Sequence, residues 1–155
     1  MARQRYETEE DLRLERAFAD ELEKKWNKTF FKLHWKYQLD FAITEKGEYK
    51  NITHWCEMKH RYFIDVGKYF PPKNICLSLD KWKMAMDMCY YTKKPFVFII
   101  RCDKGKSGDY IYMHRYGDDK DFNVKIGGRI DKKRDAQDIE PIIEIPFKEF
   151  KKIGN

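Results

Sequence analysis

The sequence predicts a mixed α/β fold, with helices packed against a mixed sheet. Three observations predict it. Amphipathic helical repeats open the chain and recur in its middle. Runs rich in aromatic and β-branched residues lie between and after them, bounded by Gly, Pro and polar turns. One run, Phe96-Val97-Phe98-Ile99-Ile100, is apolar at every position. A strand of that kind belongs at the centre of a sheet covered on both faces.

The elements follow in order. Thr8 is a helix N-cap with Glu9, Glu10 and Asp11 in the first turn. Leu14, Phe18, Leu22 and Trp26 then recur every four residues, with Ala17 alongside. This predicts an amphipathic helix of about 18 residues ending at Asn27. A β-hairpin follows, with residues 36–43 and 51–59 as its arms and the polar, Gly47-containing stretch 44–50 as its turn. Residues 60–76 read as a loop, since Pro71-Pro72 forbids a helix. Ser78 caps a second helix whose apolar stripe is Leu79, Trp82, Ala85, Met86, Cys89 and Tyr90, and Pro95 stops it. After the central strand 96–100 come a turn at 103–109 and a strand at 110–116. Residues 117–138 are hydrophilic, residues 139–145 form a last strand, and Pro146 opens a short C-terminal helix. The 155 residues make one domain, with a core at about 8–116 and an extension at about 117–155.

Composition bounds the function. Apolar residues are 42% and charged residues 37%, which suits a well-solvated globular chain. Aromatics at 16% fill a core or stack on bases. The net charge is +6. It is unevenly spread: residues 71–115 carry 9 basic and 4 acidic side chains, whereas residues 1–30 carry 7 and 8. A polyanion partner is consistent with that excess. Residues 60–73 interleave aromatic with basic side chains, as suits a loop that faces nucleic acid or is pinned down by its own rings. Cys56, Cys76, Cys89 and Cys102 include no C-x-x-C and read as small buried hydrophobes in a reducing, intracellular compartment. No signal peptide or membrane span is expected, the longest apolar run being residues 96–100.

The hairpin carries the chemistry. A turn near residues 47–49 sets Asp40 roughly opposite Glu57, and opposed Cβ atoms on one face lie about 5 Å apart. Alternation adds Lys59 to the face of Glu57. Carboxylates that close repel unless a cation lies between them, and a hard divalent ion such as Mg²⁺ suits that place. Acid-x-Lys also occurs at Glu23/Lys25, Glu48/Lys50, Asp118/Lys120, Asp131/Lys133 and Glu149/Lys151. Only Glu57/Lys59 lies in an apolar, aromatic strand. The plainer reading is a cross-strand ion pair on a solvated face.

Helix, hairpin, helix and strand with Asp40 and Glu57-x-Lys59 on the hairpin resembles the PD-(D/E)XK nuclease superfamily over about residues 8–102. Within it the chain looks most like small Holliday-junction-resolvase-like and phage recombination nucleases. The resemblance implies a restriction-endonuclease-like αβββαβ core with a C-terminal β extension. It implies an Mg²⁺-dependent DNA endonuclease, with Mn²⁺ able to substitute, and host cytoplasm as its location if phage-encoded. A structure-specific substrate such as branched DNA, a role in recombination and a homodimer are further expectations. Asp40, Glu57 and the Met58 backbone carbonyl would hold the metal, and Lys59 would orient water and offset phosphate charge. Leu39 stands where the pattern has its leading Pro. Relatives add an acid from the first helix, for which Glu15 leads over Asp11, Glu21 and Glu23. Arg61, Lys68, Lys73, Lys81 and Lys83 are candidate DNA contacts, although lysines on a second helix ordinarily solvate a face. His34, His54, His60 and His114 show no ligand spacing on a shared element, so a histidine metal site is not expected. The competing readings are a nuclease fold that only binds nucleic acid or protein, and an unrelated basic α/β interaction domain.

Overall fold

The computed structural model describes residues 7–62, 74–103, 108–115, 122–128 and 139–153. Helix α1 (Glu9–Trp26) begins with a reciprocal cap: the Asp11 N–H donates to the Thr8 hydroxyl (3.1 Å), and the Thr8 N–H donates to Asp11 Oδ2 (3.0 Å). Asn27 ends it in the left-handed region, φ 55°. The chain then forms β1 (Lys28–Lys32), a 3₁₀ turn at Trp35–Tyr37 and β2 (Phe41–Glu45). Next come β3 (Ile52–Tyr62), β4 (Asn74–Ser78) and α2 (Leu79–Thr92). The remaining strands are β5 (Phe96–Asp103), β6 (Gly108–Arg115), β7 (Asn123–Gly128), β8 (Ile139–Pro146) and β9 (Lys151–Lys152).

Two sheets result. The larger runs β1-β2-β3-β5-β6-β9, with β3 and β5 parallel and the other neighbours antiparallel. The smaller runs β4-β8-β7. Strand β5 is the apolar run, and all five residues from Phe96 to Ile100 are fully buried. Each such side chain contributes roughly 1.5–3 kcal/mol. Phe96, Phe98 and Ile100 pack on one side with Trp82 and Ala85 of α2 and with Ile143 and Ile145 of β8. Val97 and Ile99 pack on the other with Phe18 and Leu22 of α1, Phe41, Cys56 and Met58. The architecture is thus mixed α/β, with one helix on each face of the main sheet.

Several expectations are corrected. Strand β1 stands where only a helix end was read, and β2 starts at Phe41, because residues 35–37 turn instead of extending. Residues 60–62 continue β3 and residues 74–78 form β4, so 60–76 is not one loop; its centre, 63–73, lies outside the described residues. The hydrophilic stretch holds β7, whose apolar alternation Phe122, Val124, Ile126 is short and set among charged residues; Val124 and Ile126 are exposed. β8 is not the last strand, and the C-terminal helix is a 3₁₀ turn, Phe147–Glu149, with Pro146 as its cap. On α1 it is Ala19 that is buried while Ala17 is exposed, so the stripe is rotated relative to the expected one. Tyr90 and Cys76 are exposed; Cys56, Cys89 and Cys102 are buried. Among the described residues no helix is long and apolar enough to cross a membrane.

Candidate active site

Asp40 sits one residue ahead of β2, where the sheet holds it from both sides. Its N–H donates to the Cys56 carbonyl (3.0 Å), and its carbonyl accepts from the Leu33 N–H (2.8 Å). The paired register ends at Phe41↔Cys56, and Asp40, bonded to the Cys56 carbonyl, lies just ahead of it beside the stretch of β3 that carries Glu57. Leu39 fills the place of the missing Pro by burying its side chain on the α2 side. The Asp40 carboxylate is fixed as well: Oδ2 accepts the Met58 N–H (2.8 Å) and Oδ1 accepts from Lys32 Nζ (3.3 Å).

Glu57 is completely buried. Its Oε1 accepts from Lys81 Nζ (2.5 Å) and lies 3.3 Å from Lys59 Nζ. Its Oε2 is buried with no hydrogen-bond partner. Burial, then the Asp40 charge, pushes the Glu57 pKa up, against the pull of Lys81 and Lys59. Burial pulls the Lys59 pKa down, with Lys81 and Arg61 adding to the fall and Glu57 opposing it. Burial also acts to lower Lys81, but Glu57 and Asp40 outweigh it and its pKa is raised.

A third carboxylate approaches from α1. Glu15 Oε1 lies 2.5 Å from Lys32 Nζ, so this one ammonium bridges Glu15 and Asp40. Burial and the Asp40 charge push Glu15 up to about 7. Of the competing acids, Asp11 lines the same cavity but is held in the helix cap, while Glu21 pairs with Arg101 and Glu23 with Arg16 and the Phe30 N–H.

Glu15, Lys32, Asp40, Glu57, Lys59 and Lys81 share one cavity of about 900 Å³. Its described lining holds seven Asp/Glu and five Lys/Arg, a formal balance of 5 − 7 = −2. Arg61 is exposed at this cavity, and Lys83 is exposed on α2 away from it. Two residues along a helix point to different faces, which separates Lys83 from Lys81. Lys68 and Lys73 lie outside the described residues. Lys81, a candidate DNA contact with a solvated helix face as the alternative, is the ion-pair partner of Glu57. Lys32 was missed altogether; its signal was the short strand pattern Lys28-Thr29-Phe30-Phe31-Lys32 directly after the helix.

The donor set suits a hard divalent cation. It offers carboxylate oxygens, an orphaned buried Oε2 and lysines already standing in as positive charge. Among the described residues no three of His, Cys, Asp and Glu form a metal-holding group. The lysines, not carboxylates alone, make up the cluster.

The histidines part company. His34 Nδ1 accepts the Lys36 N–H (3.2 Å), and His60 packs edge-on against Phe18. His54 and His114, from β3 and β6, come together with ring centroids 5.3 Å apart, a meeting the sequence spacing did not suggest.

A family model described as "Phage putative PDDEXK endonuclease" matches residues 1–153 of the chain. Comparison with curated proteins and with solved structures gives no match.

Proposed function

We propose that this chain, which belongs to the phage PDDEXK endonuclease family, hydrolyses DNA phosphodiester bonds with a divalent cation, Mg²⁺ or Mn²⁺, held by Asp40 and Glu57. The observation that carries the reading is the buried, unpartnered Glu57 Oε2 beside Asp40. A buried acceptor without a partner costs about 1–3 kcal/mol, and a cation would remove that cost. The formal charge of the cavity lining argues the same way. A polyanion does not enter an acid-rich cavity unless added positive charge reverses the balance.

Glu15 and the Met58 carbonyl would complete the holding set. The cation would supply charge neutralisation at the phosphate and a more acidic water. The chain's own residues do the rest. Lys81 occupies Glu57 Oε1, which leaves Oε2 as that carboxylate's available oxygen. The Met58 N–H anchors Asp40 Oδ2. Lys59, beside Glu57 on the same face, would orient the attacking water and offset charge building on the phosphate. Lys32 balances Glu15 and Asp40 in the absence of a metal and would yield its place to one. Arg61, at the cavity, would meet the DNA backbone.

The test is incubation with branched, duplex and single-stranded DNA in Mg²⁺, Mn²⁺ or EDTA. Cleavage in either metal and none in EDTA is expected, with branched DNA cut fastest if the resolvase likeness extends to substrate. Undiminished cleavage in EDTA would remove the metal from the reading. Binding without cleavage on every substrate would make the chain a nucleic-acid-binding module.

A further inference from the structure

We propose that His54 and His114 form a second cation site, binding one borderline transition-metal ion of the Zn²⁺, Ni²⁺ or Co²⁺ class through their imidazole nitrogens. This site is separate from the carboxylate cluster. His54 precedes Glu57 by three residues on β3, about 10 Å along the strand, and faces the opposite side of the sheet.

The geometry fits. The two rings are 5.3 Å apart between centroids, at 34°. Nitrogens about 2.0–2.1 Å from a tetrahedral zinc bring two imidazole centroids to a separation of about 5 Å. His54 is also oriented as a ligand. The Thr53 hydroxyl donates its proton to the Ile43 carbonyl (3.1 Å). The His54 Nδ1, 2.9 Å from that same oxygen, must then be the N–H donor. Its Nε2 therefore carries the free lone pair, in the arrangement by which outer partners fix ligating histidines. Among the described residues no side-chain hydrogen bond engages the His114 ring; its backbone belongs to the β5–β6 ladder opposite Val97, and its carbonyl also accepts from Arg115. Burial holds His54 down to about 4 and holds His114 below its ordinary range, so both are neutral at pH 7.

The pair lines a cavity of about 290 Å³ with Trp26, Lys28, Ile43 and Tyr112. Among the described lining residues the cation is Lys28, matched by Glu45 at 2.5 Å; the charge of Lys151, on the strand beside Tyr112, also acts on His114. Two protein ligands leave the other coordination positions to water. Imidazole selects zinc-class ions over Mg²⁺, whereas the carboxylate cluster selects the reverse. The ion would clip β3 to β6 across the start of β5.

The test is calorimetric titration of Zn²⁺ into the full chain in excess Mg²⁺. Glu15→Gln, Asp40→Asn, Glu57→Gln and Cys76→Ser together remove the clustered carboxylates and the exposed thiol as competitors. One equivalent should survive in that background. It should weaken by more than tenfold on adding either His54→Gln or His114→Gln. Thr53→Val, which keeps both rings but frees the tautomer, should weaken it by about tenfold. Cu²⁺ bound to the unsubstituted chain should show electron-spin coupling to two nitrogens, a readout that needs no variant to fold. Zinc binding indifferent to both histidine substitutions, or a copper spectrum without two coupled nitrogens, would overturn the proposal. Neither result bears on DNA cleavage at Asp40 and Glu57.

Discussion

Glu57 and His54 lie three residues apart on β3, on opposite faces of one sheet, Glu57 fully buried and His54 half-buried. At Glu57 the fold keeps charge. Lys81, Lys59 and Lys32 are packed among Glu57, Asp40 and Glu15, and still one carboxylate oxygen is left over. At His54 the fold removes charge: burial holds the ring neutral and a hydroxyl fixes its tautomer. The difference follows from what each group can do when desolvated. A carboxylate beside another carboxylate needs a cation, so its neighbourhood fills with ammonium groups and retains a demand for more positive charge. An imidazole sheds its proton near neutral pH and becomes a lone-pair donor at little cost. The same strand therefore presents a hard-oxygen cluster on one face and a nitrogen pair on the other.

The contrast can be broken most severely at the charged end. Asp40→Asn keeps the shape but removes half of the facing carboxylate pair. Cleavage should fall on the order of 10³-fold or more while the circular dichroism spectrum is unchanged. An active, folded Asp40→Asn protein would leave the carboxylate pair as a structural ion cluster.

The next effect is on stability. Lys81→Met strips the closest partner from the buried Glu57 and should destabilise the fold by about 3 kcal/mol in urea titrations. Adding Glu57→Gln should recover much of that loss, because the stranded charge disappears with it. Additive losses in the double variant would mean that the two side chains do not act as a pair.

Lys59 sharpens the division between holding charge and using it. Its ammonium is the more distant of the two on Glu57 Oε1, 3.3 Å against 2.5 Å for Lys81. Lys59→Ala should slow single-turnover cleavage by about 10²-fold with DNA affinity little altered. A near-normal rate would reduce it to a neighbour of Glu57.

The smallest effects are the most diagnostic, because the two ends titrate with opposite sign. Glu15, raised from 4.5 to about 7, binds more protons folded than unfolded between those pH values, so it makes the fold less stable as pH rises through them. His54, lowered from 6.5 to about 4, binds fewer protons folded than unfolded, so its contribution is lost as pH falls from 6.5 towards 4. Each is worth on the order of 1–3 kcal/mol across its window. Stability measured in urea from pH 4 to 8 should lose its downward slope in Glu15→Gln and its acid-side loss in His54→Gln. Identical profiles in both variants would show that the two ends do not differ in this way.

What the sequence by itself determined is what strand physics makes local. A polar turn between two aromatic arms sets the pairing, and pairing brings Asp40 beside the part of β3 that carries Glu57 and Met58. Period-2 alternation then puts Lys59 beside Glu57, and five apolar residues in a row mark the central strand. Thr8, Asn27 and Ser78 mark helix ends because capping is a matter of a few adjacent residues. The tertiary structure decided the rest. Lys81 reaches Glu57 only because α2 packs on that face of the sheet. Lys32 reaches Asp40 only because β1 pairs with β2. His54 meets His114 only because β5 lies parallel to β3 and antiparallel to β6. Ala19 rather than Ala17 faces inward for the same reason, since an amphipathic stripe fixes the period of a helix but its final rotation is set by what it packs against. These contacts join residues far apart in the chain. No local pattern records them, because their free energy is gained only once the layers have closed.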